Sequence, residues 1–315
     1  MRSIISNFDV EQQGYLSRRV FLKAIAVCLA SPYFDSEAHS SQGPFKQATT
    51  HNTLSGEGAN VCKNNNFKLF DQLNFKKHPD FTKLGLKPIT VIYADQMWPD
   101  KIKRDVLDKD FLSRRFGQKP LLGDGSLLCL DIEHWKLRRV DETTFRKNVE
   151  LYKESLNVFR KIYPGAKIGL FEFAPLSFYP LYHQVANGNI EQKLYDQWAI
   201  ERERLRPITD NVDVLFPQLY SRWPTNVEGW ERCAKFVMKQ AREIAVNRPV
   251  IPFIWPQFWV DGEPLVAGDY WKRILHTMCE LADSAVIWSI YQTAPVWDPD
   301  MDWWQETLSF LGKRL

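Results

Sequence analysis

Two carboxylates set two residues apart close an apolar run, Leu127-Leu128-Cys129-Leu130-Asp131-Ile132-Glu133-His134-Trp135. In an extended strand side chains alternate between faces, so Cys129, Asp131 and Glu133 share one face and Leu130 and Ile132 the other. The two acidic Cα atoms would lie about 6.5–7 Å apart. At that spacing one negative charge raises the pKa of its neighbour, which is how a carboxyl stays protonated near neutral pH and serves as a general acid. Strand-to-loop junctions also carry acids that merely meet solvent, so the pair has to be weighed with the elements around it.

Those elements have a regular cadence. Strands are expected at Lys87–Ala94, Leu127–Glu133, Lys167–Phe173, Val212–Tyr220, Val250–Trp255 and Ala285–Tyr291, where β-branched and aromatic residues concentrate. Between them, Asp141 caps a helix whose apolar stripe is Phe145, Val149, Tyr152, Leu156 and Phe159, and Tyr163-Pro164-Gly165 stops it. Further helices are expected over 191–206, from Val227 to Ile244, from Tyr270 to Leu281 and near Trp303–Leu311. Strand starts near 127, 167, 212, 250 and 285 with one helix between each pair predict an α/β fold, a TIM-like (β/α) barrel. Six strands are evident rather than eight, and the segment before Leu127 is too short for three βα units, so the barrel is expected to be distorted or seven-stranded. In such barrels functional groups sit at the C-terminal strand ends. The ends here carry Tyr93 and Asp95, Asp131 and Glu133, Glu172, Gln218 and Tyr220, Trp255, and Trp288. They are polar and aromatic, as a cleft for sugar rings requires.

Composition narrows the class. The net charge of +3 comes from intermixed Lys/Arg and Asp/Glu, so no basic face argues for nucleic acid. Twelve tryptophans and eleven tyrosines supply flat amphipathic surfaces, which serve either as core or as platforms for sugar rings. The five cysteines, Cys28, Cys62, Cys129, Cys233 and Cys279, form no CxxC pair and no regular framework, so buried free thiols are expected rather than a zinc site or a disulfide scaffold. The six histidines are scattered, and neither a metal nor a cofactor is expected.

The N-terminus has its own signature. Ser17-Arg18-Arg19-Val20-Phe21-Leu22-Lys23, followed by the short apolar stretch Ala24–Ala30, resembles the twin-arginine export signal. The apolar run is far shorter than the ~20 residues of a membrane span, so no permanent anchor is expected. The resemblance implies a signal peptide over 1–38, with processing after Ala38, and recognition by the twin-arginine export machinery. It also implies a periplasmic or secreted bacterial location. From there to residue 66 small and polar residues dominate, as in a flexible linker, and the barrel would occupy 67–315.

Three segments in order along the chain carry a second resemblance. Asp131-Ile132-Glu133 with Trp135 is similar to the Asp-Trp-Glu motif of the hyaluronidases, glycoside hydrolase family 56. Phe216-Pro217-Gln218-Leu219-Tyr220-Ser221-Arg222-Trp223 is similar to that family's Pro-Ser-x-Tyr strand end, and Val286-Ile287-Trp288 to its Leu-Trp-Gly. The chain departs from the family at Ile132, which stands for the central Trp, and at Phe171 and Phe173, which stand for tyrosines. The family's disulfide cysteines are absent. The resemblance implies that Glu133 protonates the glycosidic oxygen and that Asp131 steadies the substrate's own acetamido group as it attacks, a recognised exception to two-carboxylate catalysis. It further implies that Tyr220 bonds near that acetamido group and that Trp288 floors the −1 sugar. The function expected is therefore hydrolysis of a polysaccharide containing N-acetylhexosamine or a related sugar. An ordinary retaining glycosidase and a non-catalytic carbohydrate-binding barrel are the alternatives.

Overall fold

The computed structural model of the protein describes residues 62, 64–98, 104–118, 122–260, 264–289 and 296–313. The export motif at 17–23, the processing point after Ala38 and the end of the last expected strand at 290–291 lie outside them. The residues from Cys62 onward form one compact unit, which therefore begins inside the stretch read as linker.

Seven staves close a parallel barrel among the described residues. β1 (Leu69–Gln72) is followed by β2 (Lys87–Pro88) and β3 (Thr90–Tyr93), which run on in one stave, then by β4 (Leu127–Asp131) and β5 (Lys167–Leu170). A fifth stave at 214–221 precedes β6 (Phe253–Ile254) and β7 (Ala285–Trp288). β3 pairs with β4 and β4 with β5; Phe171 bridges to Phe216, and Leu215 and Gln218 bridge to Val250 and Phe253. β6 then pairs with β7, β7 with β1, and β1 with β2, every contact being parallel. The predicted strand at Val212–Tyr220 survives only as isolated bridges, because Pro217 has no N–H to give a ladder. Its carbonyl still accepts from Phe253 N at 2.8 Å. β1 was not anticipated: four residues after a polar stretch give no periodicity, and their partner β7 lies more than two hundred residues away.

The helices form where the sequence placed them. Asp141 accepts from Thr144 N at 2.9 Å and opens the helix Glu142–Ile162, whose Phe145, Val149, Tyr152, Leu156 and Phe159 are buried against the barrel. Burying one such side chain stabilises by about 1.5–3 kcal/mol. Asn226 caps Val227–Ala245 in the same way, accepting from Gly229 N at 2.8 Å. The helices Gln192–Arg204, Gly268–Leu281 and Asp302–Phe310 match expectation to within a few residues, and an unexpected one covers Tyr179–Ala186.

Alternation along the staves divides two layers. Leu128, Leu130, Ile168, Leu170, Ile254 and Ile287 join the core shared with the helices. Phe171 and Phe253, two staves apart, meet inside the barrel with ring centroids at 5.0 Å, and Phe216 lies 5.7 Å from Phe253. Gly169 makes this filling possible, since a Cβ there would stand 2.8 Å from the Phe216 ring and 2.3 Å from Val214 O.

One expectation is overturned. Cys62 and Cys279 form a disulfide, joining the start of the compact unit to the helix Gly268–Leu281 across 217 residues. Sequence spacing gave no sign of it because the two thiols meet only once the barrel has closed. Cys129 and Cys233 are buried thiols outside the disulfide, as expected. Among the described residues no helix is long and apolar enough to cross a membrane.

Candidate active site at the barrel mouth

Asp131 is the last residue of β4, opposite Tyr93 in the β3–β4 register, and is only 7% exposed. Glu133, one alternation further along, is half-buried. The chain then turns away: Tyr152, on the helix behind, donates to the carbonyl of Ile132 at 2.9 Å and lies 3.3 Å from that of Trp135. These bonds hold both ends of the turn that carries Glu133. Trp135 is packed behind this turn, 5% exposed, edge-on to Tyr152 and Trp98, with its indole N–H donating to Arg104 O at 2.6 Å. His134 stands between them, and its burial pulls the imidazole pKa down to about 4.

The aromatic wall is assembled from distant staves. Tyr220 stacks on Trp288 with centroids 5.4 Å apart and planes inclined by 17°. Trp255 meets both, at 5.3 Å from Tyr220 and 5.4 Å from Trp288, and its N–H donates to Gln257. The indole N–H of Trp288 donates to Tyr93 Oη at 3.1 Å, and Gln72 Nε2 reaches the same oxygen at 3.3 Å. Asp95 follows in the short helix Ala94–Met97, half-buried.

On the far side Glu172 ends the β5 stave, its N–H donating to Phe216 O at 2.9 Å. Tyr179 Oη lies 2.6 Å from Gln218 Oε1 and 3.3 Å from Glu172 Oε1, so its single proton is shared between them. Burial, with the negative charge of Glu172 and more weakly that of Glu133, pushes the Tyr179 phenol well above its ordinary pKa, against the opposing pull of Arg222. Tyr179 therefore stays a donor at any working pH. Arg222 is sandwiched between the Tyr179 and Trp259 rings, 3.6 and 3.7 Å from their centroids, and forms part of the wall.

The strand-end residues Tyr93, Asp131, Glu133, Glu172, Gln218, Tyr220, Trp255 and Trp288 thus gather at one end of the barrel, with Asp95 at its edge and Trp135 behind it. Tyr179 was missed, and the sequence favoured plainer roles for Arg222, a surface ion pair, and Trp259, a core ring. A signal for Tyr179 existed: Pro180 beside it marks a helix start directly after the fourth stave. Its loop is fixed by Arg138, which donates to the carbonyls of Ser177 at 2.5 Å and Leu176 at 3.2 Å and pairs with Glu201 at 2.6 Å. Among the described residues no three His, Cys, Asp or Glu side chains converge to hold a metal ion.

Fold and site together define a seven-stave α/β barrel with a carboxylate-lined, aromatic mouth. The solved structure of bee venom hyaluronidase is similar to it, with a TM-score of 0.53 and 15% identity over 78% of this chain and 96% of that one. Bee venom hyaluronidase in complex with a hyaluronic acid tetramer matches with a TM-score of 0.54 and 15% identity, covering 78% and 95%. At that identity the likeness establishes the TIM-like barrel. No protein-family model and no curated protein sequence matches the chain.

Proposed function

We propose that the protein is a glycoside hydrolase cleaving a polysaccharide that contains N-acetylhexosamine or a related sugar, with Glu133 as general acid. One observation carries this reading: Asp131 ends β4 and Glu133 follows two residues on, at a barrel mouth walled by the stacked pair Tyr220 and Trp288. Aromatic faces of this kind receive the C–H faces of sugar rings. Glu133 gives its proton to the glycosidic oxygen as the bond to C1 breaks. The substrate's acetamido oxygen attacks C1 while Asp131 holds the acetamido N–H and offsets the charge of the cyclised intermediate. Water then opens that ring, and Glu133 recovers a proton from it. Tyr220 bonds near the acetamido group, Trp288 floors the −1 sugar, and Tyr93, Asp95, Gln218 and Trp255 line the cleft, with Trp135 supporting it from behind. No cofactor enters the scheme.

The test is the appearance of new reducing ends from hyaluronan, chondroitin and chito-oligosaccharides, with Glu133→Gln as control. Turnover that the substitution abolishes supports the reading. Binding without turnover would make the protein a carbohydrate-binding barrel instead, and absence of both would overturn it.

Residues 1–38 are proposed as an export address read by the twin-arginine machinery, supported by the Ser17–Lys23 motif and by a disulfide suited to an oxidising compartment. Arg18→Lys with Arg19→Lys should leave the protein inside the cell; normal export of the double variant would remove the assignment.

A further inference from the structure

We propose that Glu172 is a nucleophilic carboxylate and gives the protein a further activity, the retaining hydrolysis of glycosides that carry no acetamido group at C2. This rests on the reading of Glu133 as proton donor.

Phe171 points into the barrel, so alternation would send Glu172 outward to the helices. It does not go there. Glu172 adopts φ +61°, a left-handed conformation uncommon for a residue with a Cβ, and its carboxylate lies at the mouth within 3.3 Å of Tyr179 Oη. Strained backbone of this sort persists where surrounding structure enforces it. An independent observation points to a ligand. Gln218 is 5% exposed and gives its carbonyl to Tyr179, yet its Nε2 has no partner among the described residues. With Tyr179, Tyr220 and Arg222 it lines a small pocket. A buried amide with open donors calls for an acceptor, and a sugar hydroxyl supplies one.

Asp131 and Glu133 stand on one stave and Glu172 on the next. Adjacent strands run about 4.8 Å apart, of the order of the ~5–5.5 Å between the two carboxyls of retaining glycosidases. The Tyr179 hydroxyl steadies the ionised form of the acid it donates to, the form that attacks carbon. A Glu172 oxygen bonds to C1 as the C1–O bond to the leaving group breaks, and Glu133 protonates the departing oxygen. Water then attacks C1, giving its proton to Glu133, and the ester bond breaks to release Glu172 as carboxylate.

The full chain is incubated with 2-deoxy-2-fluoro-glycosyl fluorides of the gluco, galacto, manno and xylo series, and the adduct is mapped by peptide mass spectrometry. Labelling at Glu172 is expected. Labelling at Asp131, or with none of the four reagents, overturns the proposal. Fluoride leaves without protonation, so labelling should persist in Glu133→Gln, and failure of the general-acid reading is thereby separable from failure of this one. Glu172→Gly, which suits the positive φ and so preserves the fold, should cut turnover of aryl glycosides lacking acetamido groups by at least about 10³-fold. Azide should restore it by at least about tenfold, yielding a glycosyl azide of inverted configuration. Absence of azide rescue in the folded variant would count against nucleophilic attack by Glu172.

Discussion

Trp288 donates its indole N–H to Tyr93 Oη at 3.1 Å, a bond between residues 195 positions apart in the chain. It links the second and seventh staves, which flank β1, and holds the edge of the ring that Tyr220 stacks on. Tyr93→Phe deletes the acceptor and leaves a buried N–H to find another. The expected loss is about 1–3 kcal/mol of stability, with weaker binding of the −1 sugar. Unchanged urea midpoint and unchanged KM would show that the bond does not position Trp288.

Glu133→Gln keeps shape and hydrogen bonding but removes the proton. General acid catalysis contributes roughly 10²–10⁴-fold, so turnover of a natural glycan should fall by at least that much while binding, read by calorimetry, persists. With an aryl glycoside whose leaving group needs no proton the loss should shrink sharply. Equal losses on both substrates would remove Glu133 from the general-acid role.

The Cys62–Cys279 bridge closes a very long loop, and a disulfide of this kind contributes about 2–5 kcal/mol, chiefly by restricting the unfolded chain. Cys62→Ser should lower the melting temperature by several degrees, and a reductant should do the same to the parent but not to the variant. A parent insensitive to reductant would mean that the bridge is not formed in solution.

Much of this architecture was legible in local signals. Asp141 and its apolar stripe marked a helix correctly because capping and periodicity are short-range. The strand β4 was visible because a short apolar run closed by an acid is a local pattern, with Asp131 at its end. What escaped depends on closure: β1 acquires meaning only beside β7, and the disulfide only when Cys62 reaches the helix holding Cys279. Glu172 was visible as an acid near a strand end, but its aim depends on one backbone angle that no pattern encodes. Tyr179 was missed, and Arg222 read only as a surface ion-pair partner, because their partners come from different staves and loops.

His134, next to Glu133, ties the stability of the fold to pH. Its Nε2 lies 3.1 Å from Arg104 O, and its ring meets Trp98 edge-on at 4.6 Å. Burial is the main cause that lowers its pKa from 6.5 to about 4, and the Arg104 charge adds to it. The unfolded chain therefore takes up a proton near pH 6.5 that the folded chain refuses until about pH 4. Stability is complete above the unfolded value, falls as pH drops through that window, and levels off below it; the total is about 3 kcal/mol at most. Carboxylates titrate over part of the same range, so the parent has to be compared with His134→Gln. The amide bears no charge, and the stability difference between the two proteins should drift in the variant's favour by 1 kcal/mol or more, within that ~3 kcal/mol ceiling, between pH 7 and pH 4. Parallel denaturation curves over that interval would mean that His134 is protonated without penalty in the folded protein.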